Sequence, residues 1–359
     1  MTDRTGLVVR EVVLRDFRSY QHLELGLEPG VVLVAGANGS GKTNLLEALH
    51  VGTQGFSPRA RSDAQLVRFG ADAGRVALRG RNDAHRFESD VTVSRSEPRK
   101  ARLNGEPLRS AEQLRSSFHT LVFTPDRLAV VKGGPGIRRA YLDRSLGRLF
   151  PSRATLAADY ASALGQRNAA LRRAALGLSS RDALSPWTER IAAAGRELVA
   201  SRRSTLELLA APFSTLAERI GLASASLAYD GEPPSTEELE ARLERDLDRG
   251  FTGLGPHLHD VRIEGASGDL RTYGSQGEQR TAVLALVLAE ASVLAERTGA
   301  TPLVLLDDVL SELDAERRLA LAEILSNGGQ AVITTTTAAA LPLEPAQALV
   351  VASGTIREE

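Results

Sequence analysis

The sequence predicts an α/β protein in which a sheet-containing domain is interrupted by a long, mainly helical insertion. Three observations carry that prediction. Gly36 to Thr43, GANGSGKT, fits the phosphate-cradling pattern G-x-x-x-x-G-K-[ST] and stands between a β-branched run and a helix-like run. Leu303-Val304-Leu305-Leu306-Asp307-Asp308 is an apolar strand ending in paired carboxylates. Between them, from Arg138 to Leu222, the chain turns rich in Ala, Leu and Arg at helical spacing. The expected division is a discontinuous head, residues 1–125 plus 255–359, and an inserted helical lobe, residues 126–254.

Leu7–Leu14, Leu23–Leu27 and Val31–Ala35 read as short strands, as do Arg75–Leu78, Arg86–Val93 and His119–Phe123. Asn104-Gly105, between Ala101–Leu103 and Pro107-Leu108, marks a hairpin turn, because both residues accept left-handed backbone. Ala154–Leu176 and Trp187–Leu209 are the strongest helices, the second bounded by Pro186 and Pro212. Ser235 opens another, running to Leu247, with Glu238 completing a capping box. Strand pattern resumes at Leu227–Tyr229 and Val261–Ile263, followed by a helix over Glu278–Arg297. The strand Leu303–Leu306, a helix over Ala315–Leu325 and strands at Ala331–Thr334 and Ala348–Val351 complete the pattern.

A chain of 359 residues with 42% hydrophobic content can bury a substantial core in one large domain or two. It contains no cysteine, which excludes disulfides and zinc–thiolate sites and fits a reducing cytoplasm. No apolar run is long enough to span a membrane, and MTDRTGLVVREVVL lacks the basic-then-apolar plan of a signal peptide, so a cytoplasmic location is expected. The net charge of −1 favours no class of partner. Locally, Val91–Phe150 holds twelve Arg or Lys against five Asp or Glu. Lysine occurs only at Lys42, Lys100 and Lys132, so the positive charge is nearly all arginine, which suits bidentate phosphate contacts. An aromatic content of 4% is low for a base-stacking surface, and Trp187 reads as core.

Each part of the phosphate loop has a physical task. Gly36, Ala37, Asn38, Gly39, Ser40 and Gly41 turn backbone N–H groups toward a phosphate chain at the start of a helix. Lys42 reaches the β- and γ-phosphates, and Thr43 holds Mg²⁺. Asp307, at the strand end, is the second metal-side residue, and Asp308 is the candidate to polarise the attacking water. Tyr273 to Arg280, YGSQGEQR, is a polar turn leading into a helix, where the Ser275 hydroxyl and Gly277 N–H form an anion site or simply a helix cap. His257 and His259, two residues apart on a strand, would share a face, but nothing else in the chemistry requires a metal there.

The order P-loop, insertion, S-x-G-[EQ] turn, helix, two-acid strand and Ser311-Glu312-Leu313-Asp314 resembles the ATP-binding-cassette head. More specifically, PDRLAVVKGGPGIRRAYLD (Pro125–Asp143), GANGSGKTNLLEA (Gly36–Ala48), LLDDVLSELDAERRL (Leu305–Leu319) and Gln166-Arg167-Asn168 resemble the RecF family, bacterial recombination mediators related to SMC-type ATPases. The likeness runs from about Val8 to the C-terminus. It implies an ABC/SMC-type ATPase head with an inserted helical second domain, using ATP and Mg²⁺. It also implies an ATP-dependent homodimer, in which the Ser275 turn closes over the ATP of another copy. That dimer would bind DNA near single-strand gaps in repair and replication, with RecR as partner and RecO and RecA engaged indirectly.

Carried over by position, Arg18 and Ser19 are secondary ATP contacts and Asn38 assists the attacking water. Thr334–Thr337 stands where transporters carry a switch histidine, Phe123–Asp126 occupies the place of a Q-loop glutamine, and slow hydrolysis is the expected consequence. Arg99, Lys100 and Arg102, beside the Asn104-Gly105 turn, are candidate DNA contacts. A transporter ATPase subunit fits the Pro125–Asp143 segment and the insertion less well. A kinase leaves the serine turn unexplained, and no N-K-x-D guanine motif marks a GTPase; a module that binds DNA with ATP only as a structural ligand is separated by single-turnover hydrolysis with and without DNA. The interval between P-loop and serine turn, broken by Pro186, Pro212 and Pro233-Pro234, is too short and interrupted for the long coiled coil of SMC proteins.

Overall fold

The structure, a computed structural model, describes residues 6–337, 341–352 and 354–358, leaving the Glu312 side chain aside. Residues 1–5, the start of the segment read for a leader, lie outside the described residues. Two compact units divide the chain: Met1–Arg127 with Arg219–Gly221 and Val283–Glu359, and Leu128–Glu218 with Leu222–Ala282.

In chain order the strands are β1 (Leu7–Phe17), β2 (Tyr20–Gly26), β3 (Val31–Ala35), β4 (Ala73–Asn82), β5 (His85–Ser94), β6 (Lys100–Leu103), β7 (Glu106–Pro107) and β8 (Thr120–Phe123). There follow β9 (Ser226–Asp230), β10 (Asp260–Gly265), β11 (Gly268–Asp269), β12 (Leu303–Leu306), β13 (Ala331–Thr335), β14 (Gln347–Ala352) and β15 (Thr355–Glu358). The helix after β3, α1, spans Lys42–Gln54.

The first unit holds two sheets, an antiparallel one ordered β2-β1-β4-β5-β6-β7 and a largely parallel one ordered β15-β14-β3-β13-β12-β8. The parallel sheet explains the unbroken apolar runs. Every residue of β3, β12 and β13 is buried, as strands covered on both faces require. Register fixes the geometry of the site. Leu33 pairs with Ile333, Ile333 with Leu306, and Leu306 with Phe123, so β3, β13, β12 and β8 end at one edge. Ligand sites form at that carboxyl edge.

Helix α1 touches strands of both sheets, and its apolar residues share one core cluster with Val12, Val34, Val76, Val122 and Leu305. Fully burying each such side chain contributes about 1.5–3 kcal/mol. The approach at Gly52 is so close that an added Cβ would stand 2.4 Å from Leu78 Cδ1. Polar groups in this core are paired: Ser89 donates to the Gly52 carbonyl at 2.6 Å and Thr120 to Thr53 at 2.9 Å.

The second unit packs helices Pro135–Leu149, Leu156–Ala175 and most of Ser185–Arg219 with the small antiparallel sheet β11-β10-β9. It is stitched by buried arginines. Arg167, wholly buried, donates to Asp246 at 2.9 Å and to the hydroxyls of Thr252 at 2.7 Å and Thr188 at 3.2 Å. Asn168 accepts from the Thr252 amide and hydroxyl. Arg202 grips both oxygens of Asp143, and Arg138 both oxygens of Asp260. The Gln166–Asn168 and Pro125–Asp143 motifs therefore carry much of the lobe's internal wiring.

Three expectations change. Pro212 lies inside the helix Ser185–Arg219 rather than ending it. The missing donor and the ring's clash with the preceding turn cost about 3 kcal/mol, opposed by the buried stripe Leu206, Leu209, Phe213, Ala217 that continues through it. The Ser235 capping box forms as read, yet the helix breaks at Arg242 into Thr236–Ala241 and Leu243–Arg249. The second division of the units falls after Ala282 instead of before Gly255, because β10 pairs with β9 and stays with the lobe.

Candidate nucleotide site

The P-loop begins where β3 ends and closes at the first turn of α1. Gly36 is needed for close approach: a Cβ there would lie 2.5 Å from the Val351 carbonyl oxygen. Gly41 caps α1 with φ 119°, and a Cβ there would press on the Ser19 hydroxyl at 3.0 Å. Lys42 is nearly buried and donates to the carbonyls of Gly36 (2.6 Å) and Ala37 (2.9 Å), curling the loop around its ammonium. Burial lowers its pKa, while the charges of Asp308 and Asp307 act against that shift. An ammonium has three donors, so two engaged here leave capacity for a phosphate oxygen.

Thr43 donates to Asp307, with 2.9 and 3.1 Å to its two oxygens. Thr334, at the end of β13, donates to Asp307 at 2.7 Å, and its oxygen accepts from the Asp308 amide at 2.9 Å. The Asp307 amide in turn donates to the Phe123 carbonyl of β8 at 2.9 Å. One buried hydroxyl thus fixes both acids. Asp308 adopts left-handed backbone, φ 49°, which breaks the strand's alternation directly after β12.

The Phe17–Tyr20 turn braces this loop. Ser19 accepts from Asn44 at 2.9 Å, and Tyr20 donates its buried phenol proton to the Gly41 carbonyl at 3.0 Å. Burial raises the Tyr20 pKa, keeping it a donor. Arg18 is engaged elsewhere than its family position implies: its guanidinium grips Glu47 through two bonds of 2.7 and 2.8 Å. Glu47, buried in α1, was not singled out from sequence; a carboxylate five residues after the P-loop lysine, on a helix buried nearly all round, was the available signal. Thr334 was read only within a block of four threonines, and nothing in the sequence separates it from its neighbours.

Asn38 is exposed in the P-loop. Ser275, in the other unit, is exposed and caps the helix Gln276–Thr298; its hydroxyl accepts from the Glu278 amide at 3.2 Å and its amide donates to the Glu278 carboxylate at 2.8 Å. Gly277 follows in the first turn. Of the candidate DNA contacts, Arg99 is paired with Asp63 and the Gly55 carbonyl and is mostly covered, so its charge is spent internally. Lys100 is exposed and pairs with Glu97 at 2.6 Å, and Arg102 is exposed on β6. The two histidines lie in the loop before β10, not on a strand; His257 engages the Tyr160 hydroxyl and the Thr252 carbonyl, and His259 the Tyr229 hydroxyl.

The residues fit ATP with Mg²⁺. Gly36 and Gly41 admit no Cβ without displacing their neighbours, Lys42 has a donor to spare, and the paired oxygens of Thr43 and Asp307 form a hard donor set for Mg²⁺. A P-loop at the carboxyl edge of a parallel sheet, with a two-acid strand two places away and an antiparallel sheet alongside, defines an ABC/SMC-type ATPase head.

Comparison with known proteins narrows the class. Residues 8–353 match the RecF/RecN/SMC N terminal domain family. The DNA replication and repair protein RecF of Anaeromyxobacter dehalogenans is 40% identical, covering 90% of this chain and 91% of that protein. The RecF of Heliobacterium modesticaldum is 34% identical, covering 91% and 92%. A solved structure of the recombination mediator protein RecF with ATP, from the RecFOR pathway, is 27% identical, covers 100% of this chain and 99% of that one, and superposes with a TM-score of 0.86. An SMC head bound to the winged-helix domain of ScpA is 18% identical with a TM-score of 0.61, a likeness of fold. The chain belongs to the RecF family of ABC/SMC-type ATPases.

Proposed function

We propose that this chain is an ATP-dependent DNA-binding recombination mediator of DNA replication and repair. The observation that carries the reading is the constellation Lys42, Thr43, Asp307, Thr334 and Asp308 at one sheet edge, in a chain matched over its length by RecF proteins. When bound, ATP with Mg²⁺ supplies the phosphoanhydride to be cleaved and the charge that Thr43 and Asp307 are built to hold. Lys42 holds the phosphates, Ser19 and Tyr20 keep the loop in shape, and Asp308 orients and polarises the attacking water. Thr334 fixes Asp308 through its amide but, unlike histidine, offers no basic group near neutral pH, so hydrolysis is slow; stimulation by DNA is a separate part of the proposal.

Two copies close around two nucleotides, each presenting Ser275 and Gly277 to the P-loop of the other. The dimer grips duplex DNA near single-strand gaps, and hydrolysis releases it. RecR and RecO are its pathway partners, and RecA loading is downstream. Lys100 and Arg102 serve as phosphate contacts, whereas Arg99 holds its loop to Asp63. Contacts of this kind are sequence-independent and steeply salt-dependent.

The test is DNA binding by fluorescence anisotropy with and without ATP, for wild type and Lys42→Ala. Wild type should bind at least tenfold more tightly with ATP, and Lys42→Ala should show no ATP response. Equal ATP-independent binding by both proteins would contradict the reading.

A further inference from the structure

The turn that braces the phosphate loop is strained. β1 and β2 form a hairpin in which Phe17 pairs with Tyr20, so Arg18 and Ser19 are its loop residues. Arg18 is left-handed, φ 52°. A left-handed first residue in a two-residue hairpin loop is ordinarily glycine, asparagine or aspartate, because a larger side chain crowds the following carbonyl. Asp16, on the other side of Phe17, is left-handed as well, φ 45°. Backbone of this kind persists where the surrounding contacts impose it.

Two ion pairs impose it here, Asp16 with Arg68 and Arg18 with Glu47. The Arg68 guanidinium donates to Asp16 at 2.6 Å. The Arg68 amide donates to the Asp16 carbonyl and the Arg18 amide to the Leu66 carbonyl, both at 2.8 Å. Arg18 grips Glu47, whose side chain is 1% exposed, and Ser57 donates to the same carboxylate at 2.5 Å. The turn is therefore fastened to α1 at three points spaced three residues apart: Tyr20 on the Gly41 carbonyl, Ser19 on Asn44 and Arg18 on Glu47. The first of these is the N-cap of α1, inside the phosphate loop.

We infer that Glu47 is a positioning residue for nucleotide binding: by gripping Arg18 it holds the hairpin in the left-handed form that sets Ser19 and Tyr20 against Gly41. The ligand, ATP, rests on the nucleotide reading above; the strained turn and its grip rest on the structure alone. Arg18 acts through the backbone of the turn and not as a phosphate ligand. Without the grip the turn relaxes toward right-handed backbone, Tyr20 draws away from the Gly41 carbonyl, and the loop's N–H groups lose their common aim. Glu47 is buried, so removing Arg18 alone would strand its charge. Variants at Arg18 are therefore paired with Glu47→Gln, which keeps an oxygen for Ser57.

The test titrates the full chain with a fluorescent ATP analogue, with thermal melting as the check on folding. Arg18→Ala with Glu47→Gln should bind about tenfold more weakly, the scale of one left-handed non-glycine residue left without support. Arg18→Gly with Glu47→Gln should bind within about twofold of wild type, because glycine accepts that φ without strain. Glu47→Gln alone loses the charge on which Arg18 closes and should bind about threefold more weakly. In all three variants kcat at saturating ATP should stay within about twofold of wild type, since only binding is disturbed. Equal losses in the Ala and Gly variants would show Arg18 acting by its charge at the nucleotide, and tighter binding by Glu47→Gln would show Glu47 withholding that charge. Either result, or wild-type affinity in Glu47→Gln, overturns the role of Glu47 and leaves the nucleotide reading intact. Should the paired variants melt below the working temperature, Glu47→Gln decides alone. Failure of wild type to bind the analogue overturns both.

Discussion

Asp308→Asn is expected to lower steady-state ATP hydrolysis by about 10²- to 10⁴-fold, the usual contribution of a positioned acid–base group, while leaving nucleotide binding nearly unchanged. The substitution is isosteric and keeps the backbone amide that donates to Thr334, so Asp307, Thr43 and the P-loop should stay in place. What is lost is the carboxylate proposed to polarise water. In the proposed cycle closure requires ATP and opening requires its loss, so the variant should accumulate as an ATP-bound dimer. Hydrolysis within a factor of about ten of wild type, or monomers alone at saturating ATP, would remove Asp308 from the role assigned to it.

Arg167→Ala is expected to destabilise the helical lobe by about 3–5 kcal/mol, because it strands a buried carboxylate. Asp246 has a side chain 1% exposed, and Arg167 is its charge partner, so truncation leaves a carboxylate with one remaining donor among the described residues, the Gly253 amide at 3.0 Å. Thr252 loses a partner as well. Chemical denaturation followed by circular dichroism checks this, and a loss under about 1 kcal/mol would show that the network relaxes around the gap. The P-loop, Asp307 and Asp308 lie in the first unit, so ATP binding by a single copy of the folded fraction should persist.

The head was legible because its chemistry is local. A P-loop is eight consecutive residues, and a buried parallel strand announces itself as an apolar run, so β3, β12 and the flanking helix followed directly from sequence. What escaped depends on contacts between distant segments. Thr334 gains its place beside Asp307 from the register of β13 against β12, which no local pattern encodes. Arg18 resembles a phosphate ligand by position, yet Glu47 claims it across 29 residues. Arg99 looked like free surface charge until Asp63, 36 residues earlier, neutralised it. Pro212 reads as a helix stop when propensity is weighed alone, but the buried stripe around Phe213 outweighs it. In each case tertiary packing overrode a local preference.

The central claim is that the P-loop forms only half of a catalytic site, with Ser275 of a second copy completing it. Sedimentation velocity of wild type and Ser275→Arg, with ATP and with or without DNA, tests it most directly. Ser275 is exposed at a helix start, so an arginine there sacrifices about 1 kcal/mol of capping and leaves the monomer folded. Wild type should sediment as a dimer with ATP and as a monomer without it, and Ser275→Arg should remain a monomer in every condition. An ATP-dependent dimer of unchanged strength in Ser275→Arg would contradict the account.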